Sequence, residues 1–384
     1  MSKIIKKGNR ILLIIFMIML LIPLISAAEW YYGTMHDHTG YSSVLGYDGS
    51  YFAYSDNCWI ESATLLNPID TGYSIFDLKD QAKSLGSSWQ SYSDHSYCLD
   101  STELNTVKND CNTVDQDDSD FTCLSGEELS VKEDVSDVEW FCVAEKYHTA
   151  AHLGAVGISD YVTQTPSDVY CPNEKGSQEG INAINSNNGV SIMHHPESND
   201  WDFDSINEVY GADGIEIWNG EWENGLTWKA NNDEVIDLWK SFLLDGKKYY
   251  AYGGTDTHGS ATTINYNAAY MSSLTQSNLK DALKNGKNTV TNNGLLYIEL
   301  KHSYSNQWYM QGSTVDVCYG DSDVEVKATY EGINHPCKIT IYKGVKDDNQ
   351  EYHQNTGLVS GDGSWSVQAK NENLINIDFK ELIL

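Results

Sequence analysis

The chain has 384 residues, in which 55 Asp and Glu outnumber 24 Lys and Arg to give a formal net charge of −31. With 40% hydrophobic and 11% aromatic residues it is too apolar to be disordered, and it is long enough for one large domain and a smaller one. Its acidity weighs against duplex nucleic acid and anionic membrane surfaces as electrostatic partners.

Lys3, Lys6, Lys7 and Arg10 precede an apolar run from Ile11 to Ile25, and Ser26, Ala27 and Ala28 follow it. A basic start, an apolar run of about 15 residues and a small-residue end describe a signal peptide over residues 1–28. An uncleaved N-terminal anchor is the competing reading. Either way the remainder is expected to be secreted or held at the cell surface, with no stable membrane span once the leader is removed. Beyond residue 28 no arginine remains, and 20 lysines face all 55 acids. A bound phosphate or carboxylate must then be gripped by lysine, backbone N–H groups or metal, because the guanidinium fork is absent. The eight cysteines (Cys58, Cys98, Cys111, Cys123, Cys142, Cys171, Cys318 and Cys337) all follow the leader. An even count in an oxidising compartment favours disulfides. No C-x-x-C pair is present, so a cysteine-built zinc site is not expected. Cys318 and Cys337 stand apart near the C-terminus and are expected to pair, and the other six leave about 15 connectivities open.

In chain order, Trp30–Met35 reads as a strand and Ser74–Leu85 as a helix, followed by a strand ending at Asp94-His95. The segment from Leu99 to Asp120 is polar and acidic and reads as a loop. Gln178–Ser186 reads as a helix before a strand from Val190 to His194, and Gly214–Trp218 reads as a strand. Asp233–Leu244, with Val235, Ile236, Leu238, Trp239 and Phe242 apolar, reads as a helix before the strand Tyr249–Tyr252, and Gln276–Leu283 as another helix. Strands alternating with helices indicate parallel α/β units. From about Leu295 the texture becomes short β-branched runs between Gly, Asn and Asp, which read as a C-terminal β-sandwich over 295–384.

Eight of the 11 histidines lie between His36 and His258. His36-Asp37-His38 and Asp256-Thr257-His258 each follow a strand, and residues i and i+2 of a strand face one side, so each pair can serve one metal. Asp94-His95, Glu127-Glu128 and His194-His195 end or lie in others. Adjacent strand residues face opposite ways, so one of His194 and His195, and one of Glu127 and Glu128, is expected to reach a shared centre. Several strand ends offering imidazole and carboxylate ligands describe the C-terminal rim of a barrel. That donor set suits Zn, Mn or Fe and suits Ca poorly.

These motifs resemble the PHP (polymerase and histidinol phosphatase) superfamily, in particular the CehA/McbA-type metallohydrolases. Gly33–Thr39 is similar to the family's GDLHxHT, Ser93-Asp94-His95 to TDH, Gly126-Glu127-Glu128 to G-x-E, His152–Gly157 to H-x-x-A-x-G, Met193–Pro196 to AHP, Gly254–His258 to GSDxH and Gly286–Asn292 to GRTFVTN. The likeness spans about residues 30–300 and favours Glu128 over Glu127, His152 over His148 and His195 over His194. Two departures stand out. Val44–Tyr47 are interposed before Asp48, and the cysteine-bearing insertion between His95 and Glu128 is long. The resemblance implies an α/β fold, a distorted (β/α)7 TIM-like barrel (PHP fold) over 29–294, with two or three divalent transition-metal ions. By the same resemblance His36, His38, Glu128 and Asp256 would hold the first ion. Glu128 would bridge to a second held by His152 and His195, and His95 and His258, with Asp48, would hold a third. A hydroxide bridging two ions would be the nucleophile, and Asp94 would accept a proton or orient a ligand.

The leading function is therefore an exported metal-dependent hydrolase, a phosphoesterase acting on a small-molecule or phosphoester substrate. Hydrolysis of a carbamate, amide or carboxylic ester is the second enzymatic reading, because the same nucleophile attacks carbonyl carbon. A non-catalytic surface protein binding a glycan or other ligand, with a residual metal site, is the reading from another class. An intact ligand set weighs against it, because unused His and Asp at buried strand ends are costly to desolvate.

Overall fold

The computed structural model describes residues 28–41, 73–96, 99–132, 150–162, 175–198, 201–202, 209–220, 232–257, 266–291, 294–302, 305–314, 323–345, 350–370 and 374–379. Residues 1–27 of the expected leader, Asp48, His148, His258 and the cysteines 58, 98, 142, 171 and 318 lie outside them, so the expected Cys318–Cys337 pair does too. Among the described residues no helix is long and apolar enough to cross a membrane.

The architecture is mixed α/β. It begins with strand β1 (Glu29–Asp37), helix α1 (Ile75–Ser84), β2 (Trp89–Tyr92) and β3 (Asp94–His95). Helix α1 starts at a capping box, in which Ser74 accepts from the Asp77 N–H and Asp77 answers the Ser74 backbone. Next comes a correction to the sequence reading, since the acidic stretch taken for a loop is helix α2 (Ser101–Asp117). Asp100 caps it, accepting from the N–H of Thr102 at 2.6 Å and of Glu103 at 2.9 Å, while Glu103 accepts from the Asp100 N–H at 2.7 Å. Leu104, Val107, Cys111 and Val114 form one buried stripe at three- and four-residue spacing. Four apolar residues suffice for a helix whose other faces meet water.

The chain continues through β4 (Thr122–Leu124), β5 (Gly126–Lys132), β6 (Ala150–Val156), β7 (Lys175–Gly176), α3 (Ser177–Ser186), β8 (Val190–Met193), β9 (Glu197–Ser198), β10 (Trp201–Asp202), β11 (Gly214–Asn219), α4 (Asn232–Leu244), β12 (Tyr250–Thr257), β13 (Asn267–Met271), α5 (Gln276–Lys284) and β14 (Asn288–Val290). Most belong to one curled sheet. Strands β2 and β3 are successive parts of one extended segment, as are β4 and β5. Hydrogen bonding runs from β1 to β2, from β2 to β4, and from β3 to β5. It continues from β5 to β6, β8, β11 and β12, and from β12 back to β1. Within this circuit only β6 runs antiparallel to its neighbours. The helices cover the outer face. Ile181 and Ile184 of α3 and Val235 and Phe242 of α4 join one core cluster. Leu279, Ala282 and Leu283 of α5 join a second, and α1 and α2 a third with Tyr92 and Phe121. Cys111 of α2 is disulfide-bonded to Cys123 of β4.

The remaining strands are β15 (Leu295–His302), β16 (Tyr309–Met310), β17 (Asp323–Val345), β18 (Gln350–Lys370) and β19 (Leu374–Phe379). They form one five-stranded antiparallel sheet built on the long β17–β18 pair, which breaks register between Tyr330 and Cys337. The sequence reading expected two facing sheets here. The described strands make a single sheet, in which the runs Val324–Thr329 and Lys338–Tyr342 are continuous within β17.

Candidate metal centre

Glu128, 1% exposed, is the hub of the site. Its Oε1 lies 2.9 Å from His36 Nε2, 2.8 Å from His152 Nδ1, 3.3 Å from His194 Nδ1 and 3.1 Å from His195 Nε2. Its Oε2 lies 2.8 Å from His95 Nδ1 and 3.7 Å from His38 Nε2. Asp256 completes one side, with Oδ1 at 3.5 Å from His36 Nε2 and 3.3 Å from His38 Nε2. Four groups can each converge on an ion: His36, His195 and Asp256; His36, Glu128 and His194; His38, His95 and Glu128; and Glu128, His152 and His195. The structure thus brings together His36, His38, His95, Glu128, His152, His195 and Asp256, drawn from β1 and the residue after it, β3, β5, β6, the turn after β8, and β12.

The backbone is bent to achieve this. Among the described non-glycine residues, positive φ occurs at His36 (59°), Asn188 (57°), His195 (25°) and Asp256 (50°). Three of these four carry candidate ligands, and strain of this kind collects at functional sites. The β1 register with both β12 and β2 shifts beside His36. The His38 N–H is then pinned to Thr257 O at 2.9 Å.

The neighbouring pairs resolve differently. Within β5, alternation holds, and Glu127 Oε1 turns away to accept from the Val162 N–H at 2.9 Å. The expectation that only one of His194 and His195 would reach the centre is overturned. Strand β8 ends at Met193, and although the His194 N–H still bonds His152 O at 3.0 Å, strand alternation is broken at His195. His195 turns back at positive φ, while the His194 ring stacks on His36 with centroids 3.7 Å apart. Gly154 makes room for it, since a Cβ there would collide with the His194 ring.

Asp94 is buried with its carboxylate on Thr39, accepting from the backbone N–H and from Oγ1, each at 2.7 Å. It closes the chain turn after the His36–His38 motif. Asp37, between those histidines, points below the centre. It accepts from Thr34 Oγ1 at 2.7 Å, from Gln90 Nε2 at 3.1 Å and from Thr255 Oγ1. Burial raises its pKa to about 6, against those hydrogen bonds.

Sequence reasoning missed Glu216 of β11. It is 2% exposed, 2.9 Å from His36 Nδ1, and accepts from the His195 N–H at 2.8 Å and from Asn219 Nδ2 at 3.2 Å. The available signal was a lone carboxylate inside the apolar strand Gly214–Trp218, a position that burial forbids unless it is paired.

The donor set fits a divalent cation. A carboxylate only accepts, so His36 Nδ1 beside Glu216 carries a proton, and a neutral His36 then turns the Nε2 lone pair toward Glu128 Oε1. That Nε2 is buried with no hydrogen-bond partner. Nor can one carboxylate oxygen accept from four imidazoles at once. A positive charge among them resolves both conflicts. In the metal-free chain it is a proton. Burial opposes charge on His36, yet Glu216, Asp256 and Glu128 outweigh burial and hold its pKa well above the usual value. Burial instead lowers His152 to about 4, despite Glu128, leaving that ring neutral and able to ligate.

No family model and no curated protein matches this chain. Among solved structures it is similar to a proposed metal-dependent phosphoesterase of Bifidobacterium adolescentis, at 12% identity and a TM-score of 0.36, over 65% of this chain and 94% of that one.

Proposed function

We propose that the chain is an exported metal-dependent hydrolase, a phosphoesterase, built as a distorted (β/α)7 barrel of the PHP kind over residues 29–294 with a C-terminal β-domain over 295–384. The observation that carries this reading is the buried Glu128 carboxylate facing the ring nitrogens of six histidines, one of which, His36, has its other nitrogen committed to Glu216. His36, His38, Glu128 and Asp256 would hold one ion. Glu128, His152 and His195 would hold a second. His95 stands beside them for a third, with His258 and Asp48 as its further candidate ligands. Carboxylates can bridge two cations and imidazoles cannot, so Glu128 would be the residue shared between two ions. Bound there, divalent ions supply Lewis-acid charge to a phosphoryl oxygen and lower the pKa of water from about 16 to about 7.

The protein's own part is to hold and orient. Thr39 and Asp94 fix the loop after the first two ligands. Glu127 is withdrawn to Val162 and leaves the centre to Glu128. With no arginine beyond Arg10, bound ions would also be the main anion-gripping feature for a phosphate group.

Metal analysis of the purified exported form, followed by turnover of phosphomonoesters, phosphodiesters and carboxylic esters with Mn or Zn, tests this. The expected result is about two or more transition-metal ions per chain, phosphoester turnover, and its loss to a chelator. Fewer than about one tightly bound ion after reconstitution at neutral pH would overturn the reading and favour the ligand-binding alternative.

A further inference from the structure

Glu216 lies outside every ligand group described above, yet it touches two members of the centre and one residue beside a third. Its Oε1 is 2.9 Å from His36 Nδ1 on β1. Its Oε2 accepts the His195 backbone N–H at 2.8 Å and an Asn219 Nδ2 hydrogen at 3.2 Å. Asn219 Nδ2 also reaches Asp256 Oδ2 at 3.3 Å. The carboxylate is 2% exposed and lies against Gly254, where a Cβ would collide with Oε1 and crowd His36 Cβ.

We infer that Glu216 is a positioning residue of the metal centre, one carboxylate that sets both the donor nitrogen of His36 and the backward turn that delivers His195. The inference rests on the metal-centre reading. The first half follows from imidazole chemistry. A carboxylate at Nδ1 fixes the proton there and leaves Nε2 as the basic nitrogen, directed at Glu128 and Asp256. The second half follows from the backbone. His195 stands just past the end of β8 at φ 25°, a conformation that costs energy in a non-glycine residue and persists where neighbours over-determine it. The hydrogen bond from its N–H to a buried carboxylate is such a determinant. Glu216 thereby couples two candidate ligands carried by different strands, His36 of β1 and His195 after β8, without belonging to a ligand group itself.

The chemistry of glutamine makes this testable. In Glu216→Gln the side chain has one acceptor oxygen and one NH2 group. If the oxygen serves the His195 N–H, the NH2 faces His36 Nδ1 and drives the imidazole to the wrong tautomer. If the oxygen serves His36, two donors confront each other at His195. Either orientation breaks one contact, although the volume is unchanged.

The experiment titrates wild type, Glu216→Gln and Glu216→Asp with zinc against a competing chelator. It records the Co2+ absorption spectrum of each, with far-UV circular dichroism and the metal-free unfolding midpoint as folding controls. Expected is a loss of about 10–100-fold in zinc affinity for Glu216→Gln and an altered Co2+ spectrum, with the metal-free fold retained. Glu216→Asp, which keeps the charge but withdraws it, should fall between. Wild-type affinity and an unchanged spectrum in Glu216→Gln overturn the inference. Should that variant not fold, Glu216→Asp decides alone: weakened zinc binding supports the inference and unchanged binding overturns it. A wild-type chain that takes up no ion overturns the metal-centre reading itself, which is a different failure.

Discussion

The glutamates of β5 and the histidines after β8 are two neighbouring pairs at one centre, and they divide differently. Glu127 and Glu128 sit inside a hydrogen-bonded strand, paired across to Ala155 and Gly154 of β6. There the pleat sends one carboxylate to Val162 and the other to the imidazoles. His194 and His195 come one and two residues after the last residue of β8; the His194 N–H still bonds His152 O at 3.0 Å, but the chain turns back at His195 with φ 25°, and both rings reach Glu128. A strand enforces a choice between neighbours, and a strand end does not.

The sharpest way to break this comparison is at Glu128. Glu128→Ala should abolish metal uptake and turnover, an effect larger than the roughly 10–100-fold in affinity that an orienting partner costs. Glu127→Ala should leave metal content unchanged and lower stability by about 1–3 kcal/mol, because the Val162 N–H loses its acceptor. Element analysis with denaturant unfolding separates the two, and metal loss in Glu127→Ala would show that the pleat does not partition them. At β8 both single variants should weaken metal binding. His195→Ala should act more strongly, since His195 joins two candidate ligand groups and His194 one. Wild-type zinc affinity in His194→Ala would reduce that ring to packing on His36.

A smaller effect concerns protons. Burial lowers His152 from 6.5 to about 4. Between those values the unfolded chain binds a proton that the folded one does not, so stability of the metal-free chain rises with pH across that window. The full effect is about 3 kcal/mol. Asp37, raised from 3.8 to about 6, works in the opposite sense over its own window. The measurement is therefore a difference in pH-dependent unfolding between wild type and His152→Asn. Identical slopes would count against the depressed His152. The smallest expected effect on the metal centre is at the disulfide. Opening the Cys111–Cys123 link, with 12 residues of separation, should cost about 2–4 kcal/mol and leave metal affinity intact, as unfolding of Cys111→Ser would report.

Much of this was legible beforehand for physical reasons. The helices α1, α3, α4 and α5 carry clear apolar periodicity, and the spacing of His36, His38, His95, Glu128 and Asp256 beside predicted strands marked the rim. Helix α2 was missed because its buried stripe is only four residues among acids, and its start depends on a capping box read as loop polarity. Glu216 was missed because a positioning carboxylate has no motif of its own and shows only as a charge in an apolar strand. His194 was discarded because a strand rule was carried past the point where the strand ends.

Gly154 and Gly254 offer no atom to any ion, yet one leaves space for the His194 ring and the other for the Glu216 carboxylate. In a survey of every single substitution, selection for metal loading should purge changes at these two positions as severely as changes at the ligands. The mutational footprint of the centre would then include two residues with no functional group at all, and inheritance of the site depends on preserving absent side chains as well as present ones.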